Sequence, residues 1–287
     1  MTTTHKQLTE EAFANHWQQQ LQLGEDPPIA QLRLAERLHE LGYRIPGDET
    51  AQTSARPALA VEPDKSEDVP KSIRLYEYPW TVCDQNFRET VTAQLNLVDD
   101  KYQVSQSTQI ETCPLDWYEN YQLLRLTDAA WNNDRLRLYY LIGPTADLFR
   151  LIGTSPAIHE VNAKAPIKLT RQNVLSYVVF FCYFVHGEEG PFYVLESMDD
   201  PILDSFRSLT VDPLLLETAF AVIEGTAKRA TLTEVTADGN YECQAVVFYS
   251  NALFEVRFVV YPTGMVEMLE DDPIAADMPF RLQAVIR

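Results

Sequence analysis

From Thr170 to Ser197 the chain reads TRQNVLSYVVFFCYFVHGEEGPFYVLES, its most apolar stretch. Apolar residues fall on nearly every face of a helix drawn over Arg171–His186, so such a helix must be buried on several sides. The β-branched and aromatic content would also suit a strand, but the segment is longer than buried strands run. It is therefore read as a buried helix with Thr170 as its N-cap. Ser176 interrupts the apolar run, which is too short to span a bilayer. The helix closes on a polar turn, His186-Gly187-Glu188-Glu189-Gly190, and Pro191–Glu196 follows as a strand.

Downstream, Leu214–Glu224 reads as a helix after Asp212-Pro213. Four alternating runs then occupy Ala230–Val235, Tyr241–Tyr249, Leu253–Tyr261 and Met265–Leu269. They are separated by Asp238-Gly239, Ser250-Asn251 and Pro262-Thr263-Gly264, which predicts an antiparallel meander. Phe254, Val256, Phe258 and Val260 point one way, and Glu255 and Arg257 the other, so one face packs on helices.

Upstream the pattern is less regular. Ile73–Tyr78 alternates like a strand, Phe87–Leu97 mixes periodicities, and Leu115–Ala130 reads as helical with Trp117, Tyr121 and Leu124 on one face. Arg135–Ile142 and Leu148–Ile152 flank Gly143-Pro144-Thr145 as a hairpin, and Thr154–Lys164 is a short helix entered through Ser155-Pro156. No internal repeat of fixed period is present. Helices followed by tight-turned strands predict an α+β domain over 73–287, its C-terminal meander packed on helices and curled as an NTF2-like or cystatin-like roll.

Before that domain, residues 1–45 hold an amphipathic hairpin. Phe13, Trp17 and Leu21 share one face, Gly24–Pro28 turns the chain, and Leu34, Leu38 and Leu41 form a second stripe before Gly42 and Pro46. Residues 46–72 carry four prolines, six acidic residues and no aromatic, the composition of a disordered acidic linker.

The 287 residues carry a net charge of −19 without an acidic tail. Nucleic acid needs a basic footprint and anionic membranes need basic patches, so both are disfavoured as partners. A protein partner, including a basic one, fits the balance better, with a DNA-mimic or a homo-oligomer as alternatives. The N-terminus lacks the basic and apolar regions of a secretory signal. Cys83, Cys113, Cys182 and Cys243 form no CxxC, and Cys182 and Cys243 read as buried free thiols. A soluble, cytoplasmic protein of bacterial type is expected.

Three groupings carry the chemistry worth testing. His186 with Glu188 and Glu189 places an imidazole and two carboxylates at a helix end; the same residues suit a capping turn. Ser155, His159, Glu160 and Asn162 crowd the stretch from Gly153, without a GxSxG elbow. His159 and His186 are the two histidines of the main domain. Were they to converge, His159, His186 and Glu188 would supply a two-histidine, one-carboxylate metal site. The third grouping, Glu267, Glu270, Asp271 and Asp272, could bind a hard cation or decorate an exposed strand. P-loop, GxGxxG, HExxH, CxxC and kinase motifs are absent, and no cofactor is expected. The sequence favours a non-catalytic protein that binds a macromolecular partner or small ligand, with the N-terminal hairpin as docking element. The alternative is a hydrolase, metal-assisted or not, using His159, His186, Glu188 and Glu189 as catalytic groups.

Overall fold

The computed structural model describes residues 70–98, 102–131, 136–145, 147–165 and 167–282. The hairpin of 1–45 and all but the last residues of the linker lie outside that range. Among the described residues, five helices and antiparallel sheets make a mixed α+β fold.

The apolar segment is a helix, α3, over Val174–Phe184 in chain order. Helix α1 spans Gln85–Val98, α2 Pro156–Lys164, α4 Pro201–Arg207 and α5 Pro213–Thr226. A first sheet runs β1 (Thr81–Val82), β2 (Gln109–Pro114), β3 (Gln122–Thr127), β4 (Leu138–Ile142) and β5 (Leu148–Arg150) in sequential order. After α3 comes a tight hairpin of β6 (His186–Gly187) and β7 (Gly190–Pro191). The second sheet contains β8 (Tyr193–Val194), β9 (Thr231–Val235), β10 (Tyr241–Tyr249), β11 (Ala252–Val260) and β12 (Val266–Ala275). Its order is β12-β11-β10, with β9 and β8 sharing the far edge of β10. Neither sheet closes on itself.

The two sheets lie on opposite sides of α3. Trp117, Leu123, Tyr139 and Leu141 from the first sheet and its turn join one buried cluster with α3 and with Cys243, Ala245, Val247, Val256 and Phe258 of the second. Tyr139 meets Phe184 with ring centroids 5.0 Å apart, while Tyr177 Oη donates to the Gly264 carbonyl at 2.6 Å. A helix gripped from both sides has no face to give to water, which is why its sequence is apolar all round. Helix α2 adds Ile158 and Val161 to the same cluster.

Outside this centre, each sheet carries its own helical cover. Val91 and Leu95 of α1 pack on Ile110, Leu124, Leu126, Leu138, Tyr140 and Ile142. Ala219, Val222 and Ile223 of α5, with Leu203 and Phe206 of α4, pack on Val246, Phe248, Leu253 and Ala275. The layers are thus helix, sheet, helix, sheet, helix. A helix followed by a sequential four-stranded meander occurs twice, as α1 with β2–β5 and as α5 with β9–β12.

Several expectations need correction. Ile73–Tyr78 is not a strand but a strap with one short 3-10 turn at Leu75–Glu77. Leu115–Ala130 is not a helix: Leu115–Tyr121 turns, and Gln122–Thr127 is β3. There Leu123 faces α3 while Leu124 and Leu126 face α1, so a strand buried on both faces imitates a helical stripe. The N-cap of α3 is Asn173, three residues beyond Thr170. Asn173 Oδ1 accepts from the Thr170 amide at 2.8 Å, so Thr170 helps close the turn that leads in. The C-terminal meander and its facing follow the expectation, with β12 running on to Ala275.

Phe180 is fully enclosed, its ring 5.3 Å from Trp117 and 4.8 Å from Phe184, whereas Phe181 is only half-buried. Phe180→Ala should cost roughly 3–5 kcal/mol in chemical denaturation, and Phe181→Ala clearly less, because the cavity term scales with enclosure. Equal losses would contradict this packing.

Candidate functional site

The histidine–carboxylate groupings do not assemble. His159 sits on α2 with its ring 6.1 Å from that of Phe181. His186 sits in β6, its amide donating to the Gly153 carbonyl at 2.8 Å. Gly153 has φ +90°, and a Cβ there would lie 2.6 Å from His186 Nδ1, so glycine is required to let the imidazole pack so closely. His186 Nε2 is buried without a hydrogen-bond partner, and burial lowers the ring's pKa, with a bond to the Tyr183 backbone opposing. Glu188 is exposed at the turn. Glu189 Oε2 accepts from Arg281 at 2.9 Å, and its amide donates to Tyr249 Oη at 2.9 Å. Glu160 pairs with Lys164 along α2. No hydrogen bond, ion pair or ring contact joins His159, His186 and Glu188. Among the described residues no group of three His, Cys, Asp or Glu side chains is placed to hold a metal ion.

The cysteines offer no nucleophile. All four are free, and burial pushes the Cys113, Cys182 and Cys243 thiols up to about 12. Helix α3 leaves Cys182 fully packed, as the sequence implied.

The densest set of buried ionisable groups lies elsewhere, beneath the strap. Arg125 on β3 donates from Nε to Glu111 on β2 at 2.9 Å and lies 4.0 Å from the Trp80 ring centre. The aromatic line continues from Trp80 to Tyr139 at 6.3 Å, to Tyr183 at 6.3 Å and to Tyr193 at 6.5 Å. Tyr193 Oη then donates to Asp200 Oδ1 at 2.7 Å. This seam joins the first sheet to the second along the C-terminal half of α3. The strap closes over its far end. Ile73 N donates to Ser176 Oγ at 2.9 Å, Arg74 Nη1 donates to Ser197 Oγ at 3.2 Å, and Ser72 donates to Glu196.

Asp200 is the strained member. It caps α4 by accepting from Ile202 N at 3.0 Å, while Oδ2 is buried without a partner. Burial raises its pKa, against the Tyr193 and Ile202 hydrogen bonds and the Arg74 charge, and Glu196 adds to the rise. Burial likewise lifts the Tyr193 and Tyr183 phenols, so both stay neutral donors. Asp200 is only 1% exposed, whereas Trp80, Arg125, Tyr183 and Tyr193 are half-buried, and the seam braces the two sheets against one another. A sequence signal for it existed: Asp200-Pro201 repeats the capping pattern of Asp212-Pro213, and both aspartates do cap helices.

Two surface features complete the inventory. An open depression of about 310 Å³ lies between the first turns of α1 and the β4–β5 loop, lined by Asp84, Phe87, Val91, Ile142 and Pro144 among others. The acidic grouping falls on β12, at the edge of the second sheet. Glu267 Oε2 accepts from Tyr261 Oη at 2.8 Å and Glu270 Oε1 accepts from Arg257 at 2.8 Å. Among the described residues no helix is long and apolar enough to cross a membrane.

Comparison of the chain with family models, with curated proteins and with solved structures gives no match.

A carboxyl with a raised folded pKa binds more protons folded than unfolded between the ordinary value of 3.8 and its raised value. Stability from this group therefore falls as pH rises through that window. Asp200→Asn preserves both acceptor bonds and removes the charge. The variant should gain relative to the parent as pH is raised from 4 to 7 in denaturation series. A variant losing ground as pH rises would mean that attraction to Arg74 outweighs burial.

Proposed function

We propose that this chain is a non-catalytic protein that works by binding a macromolecular partner or a small ligand. The hairpin within 1–45 serves as docking element, the stretch 46–72 as tether and the α+β domain as recognition unit. The observation that carries the reading is the use the fold makes of the four candidate residues. His186 is wedged against Gly153 with Nε2 enclosed, Glu189 is held by Arg281, Glu188 stands in solvent, and His159 packs beside Phe181 on another helix. Each side chain is spent on a local contact or left to water, and acid–base work needs convergent groups within hydrogen-bond reach. The ionisable groups that do converge are engaged with one another in the seam, Arg125 with Glu111 and Tyr193 with Asp200.

The net charge of −19 makes a protein with basic features the best-matched partner. A curled roll of NTF2-like or cystatin-like type belongs to this proposal as an architectural comparison, resting on helices followed by a meander. A cytoplasmic setting belongs to it too, resting on the free cysteines.

Affinity capture with the whole chain, beside a chain lacking residues 1–45, tests the reading. A partner should be retained in stoichiometric amount by the whole chain and lost on truncation. A hydrolytic activity that falls at least about a hundredfold in a His159→Ala, His186→Ala double variant would replace it with the hydrolase alternative.

A further inference from the structure

We propose that the outer edge of β12 docks an extended, basic segment of a partner protein by adding a strand to the second sheet. This rests on the binding reading above and names the surface and the partner's chemistry.

The edge is long and open. β12 covers ten residues, and among the described residues its stretch 266–272 pairs with β11 alone. Among the described residues no strand lies along its other side. The remaining sheet margins are shorter: two residues in β1, three in β5, two in β8 and five in β9. An unpaired edge offers backbone donors and acceptors to any extended chain that reaches it, and such addition is a recurrent mode of peptide recognition.

The register decides what that chain must look like. Glu267, Glu270 and Asp272 stand opposite Val259, Arg257 and Glu255, on the sheet face turned from α3. Met268 and Asp271 stand opposite Phe258 and Val256, on the α3 side. Met268 and Leu269 are exposed apolar side chains, at 40% and 38%. A strand laid beside β12 therefore sets alternate side chains next to three carboxylates and the intervening ones next to Met268 and Asp271. The occupant that fits is basic on the first face and apolar where it meets Met268. Tyr261 and Arg257 engage two of the carboxylates, while no ion pair engages Asp272.

The same charges exclude the other occupants. A second copy pairing through β12 would bring carboxylates beside carboxylates on one face, which is destabilising. Nucleic acid is repelled. Two bulges interrupt the β11–β12 ladder, a device that discourages indiscriminate edge pairing. Acidic side chains deter like edges and admit a basic one, so one feature supplies both the repulsive and the attractive half of specificity.

The test uses the whole chain and a short fluorescent peptide of alternating lysine and valine. Two control peptides accompany it, one methylated on alternate backbone nitrogens and one with glutamate in place of lysine. Anisotropy should show binding of the lysine peptide, weaker by at least about tenfold for either control and in the Glu267→Lys, Asp272→Lys double variant. Hydrogen exchange should show protection within 266–272. Asp272→Lys alone, at an exposed residue without an ion pair, should weaken binding with an unchanged melting curve, separating docking from folding. Equal binding of the methylated peptide would reduce the effect to surface charge and overturn strand addition. Protection elsewhere would overturn the site. A captured partner whose affinity ignores Asp272→Lys would leave the binding reading standing and remove this edge from it.

Discussion

Everything in this fold hangs on α3 being shared. One helix of apolar residues fills the space between two open antiparallel sheets, and α2, Trp117 and the strap's Tyr78 complete the same buried cluster. Shared burial makes the two halves depend on one another. Removing α3 would expose the α3-facing side of β2–β4 and of β10–β11 together. A helix used in this way cannot carry polar groups outward, and its one hydroxyl-bearing short side chain, Ser176, is spent on the strap. Its tyrosines sit where their hydroxyls can leave the apolar layer, Tyr177 toward Gly264 and Tyr183 into the seam.

The seam and the strap follow from that constraint. Two sheets around one helix leave a slot along its rim, and the chain closes the slot with its own residues 70–80. Trp80 and Tyr78 face the apolar centre, while Ser72, Ile73 and Arg74 make the polar ties. Enclosure has a cost, since Asp200 Oδ2 and the Tyr78 hydroxyl are held out of water without hydrogen-bond partners. On the binding reading proposed above, the acidic edge β12 is the peripheral surface that remains open.

Much of the C-terminal half was legible because its periods are clean. In β11, Phe254, Val256, Phe258 and Val260 turn toward α3 while Glu255 and Arg257 take the other face, and Asp212-Pro213 announces α5. The first sheet was hard to read for the opposite reason. Its strands are buried on both faces, between α1 and α3, so Leu123, Leu124 and Leu126 do not alternate with polar residues and pass for a helix. The repeated helix-and-meander order has no fixed period because β2–β5 run three to six residues and β9–β12 five to ten. The candidate histidines were visible, but the contacts each makes, His159 with Phe181 and His186 with Gly153, were not, since proximity across elements is a tertiary property. The Asp200-Pro201 cap had a sequence signal, but the assembly of the seam did not, for the same reason: Glu111, Arg125, Trp80, Tyr139, Tyr183 and Asp200 come from six different segments.

The shared helix implies that the two sheets stand or fall together, and native-state hydrogen exchange measures this directly. Amides of α3, of β3–β4 and of β10–β11 should exchange through one common opening whose free energy equals that of global unfolding and shifts equally in all three when Phe180 is replaced by alanine. Exchange of the first sheet by an opening that leaves α3 and the second sheet protected, or the reverse, would contradict the account.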